Sequence, residues 1–290
     1  MNHTAVESLI ARCLMQPGHL QLLLASSSPP FERSELERLR LFGGLITKVQ
    51  HNDLWDDFPA TRQLLARAGI ELAFFAEYRL RRLAPGGPKP SRESKYRRFG
   101  AFLEDYLREK PCSETAGLKE VFRHEWNVWQ VSGRACSAME TGDGAGTAGT
   151  PIPTDDLLSL SWTEVRRMIP RFNGCFLVAR FSVDPVRVIA TLDRRRAKLP
   201  RVPRTRPVTL GYWNDGRGDC RVLLLASNEA AVLSHIDGKR TVGTVVFRAR
   251  RGGLRFSAPR EFKDFFSEGA ASGLVTLCDR KEPGESRFRR

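Results

Sequence analysis

RPVTLGYWNDGRGDCRVLLLASNEAAVLSHIDGKRTVGTVVFRARRGGLRFSAPREFKDFFSEGAASGLVTL, residues 206–277, is the stretch around which the chain is organised. Residues 206–213 (RPVTLGYW) and 220–226 (CRVLLLA) are short runs rich in β-branched and apolar residues. Between them NDGRGD, 214–219, supplies the Asn, Asp and Gly of a tight turn, so the pair is expected to form a β-hairpin. Ser227 then offers an N-cap to a helix through Ala230, Ala231, Val232, Leu233 and Ile236 that Asp237-Gly238 stops. A second helix starts at Thr241 (TVGTVVFRA). A third starts at Pro259, with Phe262, Phe265 and Phe266 at i, i+3 and i+4; Gly273 ends it, and Leu274, Val275 and Leu277 read as a closing strand. Hairpin, three helices and a wing predict a small winged-helix unit.

Such a unit has two common uses. Its third helix can enter a DNA groove, or its sheet edge and third helix can hold an extended peptide as an added strand. Strands first and helices after, with LSHIDGKRTV at 233–242, Phe265-Phe266 and Gly273-Leu274-Val275, resembles the peptide-recognition elements of ribosomal-peptide maturation enzymes.

Net charge is +14, unevenly spread: residues 1–150 carry 20 Lys+Arg against 18 Asp+Glu, whereas 151–290 carry 27 against 15. The half containing the winged unit therefore attracts polyanions, whether nucleic acid or acidic peptide. Six cysteines (13, 112, 136, 175, 220 and 278) form no C-x-x-C pair and have no histidine at ligand spacing, which argues against a zinc site or a disulfide framework and for isolated small hydrophobes. No apolar run approaches the roughly 20 residues of a membrane span and no signal peptide is recognisable, so a soluble cytoplasmic protein is expected.

Toward the N-terminus the pattern is helical. Residues 2–25 and 31–50 read as two helices separated by SSSPP; Phe58-Pro59 opens a third that Gly69 caps, and 70–83 places Phe74, Phe75 and Tyr78 on one face. Phe99, Phe102, Leu103, Tyr106 and Leu107, then Leu118, Val121, Phe122, Trp126 and Trp129, continue the period. The expected fold is α+β: an N-terminal helical bundle over 1–132, a flexible linker over 133–156 (GRACSAMETGDGAGTAGTPIPTDD), and a winged-helix-like domain with a small antiparallel sheet over 157–290. Within the last, 157–169 reads as a helix, 175–181 as a strand, and Asp184-Pro185 as the start of a helix ending in three arginines. The basic segment 198–207 has prolines and no aromatic, and reads as a solvated connector.

The series Phe58-Pro59, Leu64-Leu65, Phe74-Phe75, Tyr78, Phe99 to Leu103 and His124-Glu125-Trp126 is similar to the helical, DNA-binding-type domain of partner subunits of multinuclear non-haem iron oxidases. Those oxidases modify cysteines of precursor peptides, as in the methanobactin and 3-thiaglutamate pathways. The resemblance implies a non-catalytic chain with no cofactor of its own, iron in the partner oxidase, a heterodimer, and a leader peptide as the second partner. Excision of the cysteine β-carbon and heterocycle formation both occur in that family; the reading leans to excision.

The chemistry-bearing residues fit that absence of catalysis. G-x-S-x-G, H-E-x-x-H, the P-loop motif and a strand-to-helix G-x-G-x-x-G are missing. The five histidines are scattered. Asp53, Asp56 and Asp57 beside His51 read as a solvated helix start, and His124-Glu125 as a satisfied, partly buried pair. The peptide is expected along Arg221, Val222, Leu223, Leu224 and Leu225, against Phe262, Phe265 and Phe266, with Arg221, Arg260 and Lys263 offered to leader carboxylates. The rival is a winged-helix DNA-binding regulator. Against it, REFKDFFSE, 260–268, mixes its two cations with acids and aromatics, poor chemistry for a major groove, so nucleic acid is disfavoured.

Overall fold

The computed structural model describes residues 3–82, 91–110, 117–141, 151–192, 206–216, 218–253 and 258–279. The Pro/Gly-rich loop at 84–90, the glycine-rich stretch 142–150, the arginine run 194–196, the connector at 198–205 and the tail 280–290 lie outside the described residues. The fold is mixed α+β with small antiparallel sheets, and the chain divides into two compact units: residues 1–125 with 183–205, and 126–182 with 206–290.

The first unit is helical. It contains α1 (His3–Met15), α2 (Pro17–Ala25), α3 (Arg33–Gln50), α4 (Asn52–Asp57), α5 (Pro59–Arg67), α6 (Glu71–Arg82), α7 (Arg92–Glu109), the first turns of α8 (Leu118–Thr141) and α11 (Pro185–Leu192). The single helix expected over 2–25 breaks at Gln16, because Pro17 restricts the residue before it to extended backbone and then opens α2 at its first turn. The spaced aromatics interlock through edge-to-face and tilted ring contacts. Phe99, fully buried, meets the rings of Trp55, Phe74, Phe75, Tyr78 and Phe122 at 5.4–6.2 Å. Gly43 and Gly44 let α3 approach α6 so closely that a Cβ on Gly44 would lie 2.7 Å from both the Ala76 nitrogen and the Leu72 oxygen. Asp184 caps α11 by accepting from the amides of Val186 and Arg187.

The second unit holds α9 (Thr154–Ser159), α10 (Trp162–Val165), β1 (Ile169–Phe172), β2 (Cys175–Phe181), β3 (Val208–Asn214), β4 (Arg221–Leu225), α12 (Ser227–Leu233), α13 (Val242–Arg251), α14 (Pro259–Ala271) and β5 (Val275–Cys278). The helix expected over 157–169 is two short ones and the start of a strand. Ser161 and Glu164 form a reciprocal capping box that restarts the chain, and Pro170 holds Ile169 extended. The hairpin gains a third strand, in the order β2-β3-β4, while β5 pairs with β1 in a separate two-stranded sheet rather than with the hairpin. Asn173 joins the two sheets: its amide nitrogen donates to the Gly273 carbonyl, its side-chain oxygen accepts from Thr276, and its own carbonyl accepts from the Trp213 indole at 2.6 Å.

One face of the three-stranded sheet, through Phe176, Val178 and Leu225, packs on the core formed by α12, α13 and α14; the other, through Ala179, Phe181, Leu210 and Tyr212, packs on Val128 and Val131 of α8. The helix α8 runs eight residues past Gly133, to Thr141, and the unit boundary falls at 125/126 inside it rather than at 133. Small residues suppress a hydrophobic pattern without forbidding a helix, since Ala, Arg, Met and Glu are all strong helix formers.

Candidate peptide-binding groove

The candidate site grows from the edge of the three-stranded sheet. β3 is central and apolar, burying Leu210, Tyr212 and Trp213; β4 pairs with it from Thr209↔Leu225 to Trp213↔Arg221, and among the described residues no strand lies beyond β4. The pleat sends Leu223 and Leu225 to the same side as Val178, toward the helices, while Leu224 stands 72% exposed at the rim. β4 ends where Glu229, from the first turn of α12, accepts from the Ala226 amide at 2.7 Å; Ala226, not Ser227, is the N-cap.

Opposite β4 runs α14. Its C-terminal half, with Leu274 and Val275 beyond the turn at Gly273 (φ +76), closes a groove of about 320 Å³. The floor and walls are apolar: Leu223, Leu225, Leu233, Phe265, Phe266 and Leu274. Phe265 and Phe266 meet edge to face at 5.4 Å, which fixes the half-buried Phe265 ring. Among the described residues the two charged side chains in the lining are both acids, Glu229 and Glu268.

Of the ten expected site residues, the lining brings together Leu223, Leu224, Leu225, Phe265 and Phe266. Val222 is exposed on the same strand, outside the lining. Phe262 is 0% exposed, stacked at 6.0 Å on Trp162 within the core and covered by the Arg250 guanidinium at 5.2 Å, so no guest reaches it. The i, i+3, i+4 spacing that singled it out marks the face of α14 turned to the core. The cations are also elsewhere. Arg221 lies over the Trp213 ring at 5.0 Å, Lys263 donates to the Leu158 carbonyl at 3.0 Å, and Arg260 stands 3.9 Å from Asp264. Glu229, Leu233, Glu268, Gly269, Ser272, Leu274 and Val275 line the groove and were not singled out; Gly269 and Ser272 continue the helical step from Phe265, a signal the aromatic spacing eclipsed.

The other polar clusters are structural. Glu125 accepts from the Ala60 amide at 2.7 Å, the Thr61 amide at 3.0 Å and the Thr61 hydroxyl at 2.6 Å, capping α5, whose own N-cap Phe58 has no side-chain oxygen. Burial pushes its carboxyl pKa up against those three donors, and burial pushes the His124 imidazole down to about 4, with Asp184 pulling weakly the other way. Asp53 pairs with Lys95, and Asp57 with Arg92 at 2.6 Å and with Tyr96, whose burial takes its phenol up to about 12. The His51 Nδ1–H donates to the Thr47 carbonyl at 2.9 Å, and burial holds the imidazole pKa below its usual value. Among the described residues no group of three or more His, Cys, Asp or Glu could hold a metal ion, and no helix is long and apolar enough to cross a membrane. The chain matches no protein-family model and no curated protein.

Proposed function

We propose that this chain is a non-catalytic, cytoplasmic partner subunit that captures the leader of a ribosomally made precursor peptide and presents its cysteine to an iron-dependent oxidase carried by another chain. The observation that carries the reading is the edge of β4, unpaired among the described residues, facing α14 across an apolar groove. A strand followed by three helices, with the last helix walling the sheet edge, is the order of winged-helix peptide-recognition elements. An extended segment adds to β4 through main-chain hydrogen bonds and drops alternate side chains between Leu223, Leu225, Phe265 and Leu274. Glu229 and Glu268 favour a guest carrying a basic residue beside its apolar ones, in place of the acidic leader that the cations of this half first suggested.

The helices of the first unit, read as a bundle, supply the surface for the oxidase. Phe42, Leu45 and Val49 are exposed at i, i+3 and i+7 on α3, with Leu72 exposed on α6. Holding substrate and oxidase on one chain raises the effective concentration of the cysteine at the oxidase. Excision of the cysteine β-carbon is the favoured outcome within that chemistry.

Affinity purification of the tagged full-length chain from its own cells tests this. The expected result is co-purification of an iron-containing subunit and a short cysteine-bearing peptide, with Leu224→Asp losing the peptide alone. Recovery of neither, or a salt-sensitive shift of duplex DNA that survives Leu224→Asp, overturns the reading.

A further inference from the structure

The second unit has another concavity, about 960 Å³, which shares no lining residue with the β4 groove. It lies between α10 and α13. Among the described residues Arg166, Arg167 and Arg250 line it against a single acid, Asp279, and all three arginines are exposed. Apolar surface separates the cations: Val246, Trp162 and Phe247, the last 60% exposed with the Arg251 guanidinium 5.8 Å from its ring.

The walls are tied by backbone. The Gly243 amide donates to the Arg166 carbonyl at 2.9 Å and the Val242 amide to the Met168 carbonyl at 2.8 Å. Glycine serves at 243 because a Cβ there would stand 3.1 Å from that Arg166 oxygen. Thr244, the next amide, donates to its cap Thr241. The first-turn amides of α13 are thus occupied, and recognition of an anion falls to the guanidinium groups, which are built to bind carboxylates or phosphates in pairs.

Extent decides between the two. Nucleic acid tracks across several phosphates and needs a continuous positive surface. Here the arginines are bounded by Asp279 in the pocket itself. They are bounded also by α14, whose Phe262 lies under Arg250 and whose Glu261 and Asp264 are exposed. A short acidic segment needs only the pocket, and the rings between the arginines suit a segment with apolar side chains among its carboxylates.

We propose that this pocket binds an acidic, partly apolar segment of a polypeptide partner. The site is separate from the β4 groove and does not require it to be filled. The test is fluorescence anisotropy of the full-length protein with a short labelled peptide of alternating glutamate and leucine, beside a single-stranded oligothymidine of equal net charge. The peptide is expected to bind, to weaken as salt rises from about 50 to 300 mM, and to lose at least about tenfold in affinity in Arg166→Glu/Arg167→Glu. Both side chains are exposed, so that variant should fold; Phe247→Ser, which alters no charge, should weaken the peptide as well, and Leu224→Asp should leave it unchanged. No binding at low salt, equal binding by the arginine variant, or tighter binding of the oligonucleotide with loss in the same variant overturns the proposal.

Discussion

His124 and Glu125 are neighbours in sequence with opposite demands on the solvent around them. Their side chains leave the helix about 100° apart, so Glu125 reaches the first turn of α5 while His124 is buried near Asp184. An unfolded chain protonates the imidazole near 6.5, the folded chain only near 4. Between those values the unfolded state binds more protons at this group, so the contribution of His124 to stability falls as pH is lowered through that window, by up to about 3 kcal/mol. His51, also held low by burial, acts with the same sign; Glu125, held high, acts against it. Urea midpoints at about pH 7 and pH 4.5 should therefore drop less in His124→Gln than in the unaltered protein. An equal drop in both would remove His124 from the account. The sequence marked this pair as polar and satisfied, but the partners of Glu125 lie 64 and 65 residues away, beyond any local pattern.

At the scale of elements, helix α3 carries a Gly43-Gly44 pair that propensity alone counts as a weakness. Its use is close approach: the atoms a Gly44 Cβ would meet belong to the backbone of α6 and cannot swing aside. Alanine would gain up to about 1 kcal/mol of helix propensity and lose about 1–3 kcal/mol to overpacking. Gly44→Ala should consequently lower the thermal midpoint, while Gly18→Ala, with nothing within 4 Å of the added carbon, should not. In the second unit Thr241 and Gly273 act where they were expected to, because a cap and a stop are local signals, whereas α12 ends at Leu233, short of Asp237-Gly238, and Asp237 instead accepts from the Lys239 and Arg240 amides. The restart at Ser161 and Glu164 escaped, because a capping box inside an apolar run looks like the continuation of one helix.

Across the whole molecule, the candidate groove separates binding from folding in a way that substitutions can read. Leu224 is 72% exposed, and its change to Asp should leave stability within about 0.5 kcal/mol. Phe262, expected beside the guest and found in the core at 0% exposure, should cost about 3–5 kcal/mol as Phe262→Ala. Chemical denaturation measures both, and a large loss in Leu224→Asp would mean that β4 is less open than its pairing indicates. What the sequence by itself determined is the α+β class, the hairpin, the three helices after it and the aromatic helices before it, since spacing, caps and turn residues are local. Only the tertiary structure decided that β5 joins β1 about a hundred residues away, that no strand among the described residues pairs with the outer edge of β4, and that among those residues acids rather than arginines line the groove. Periodicity reports that a face is apolar; which neighbour covers it, and which charge ends beside it, depends on contacts between residues far apart in the chain.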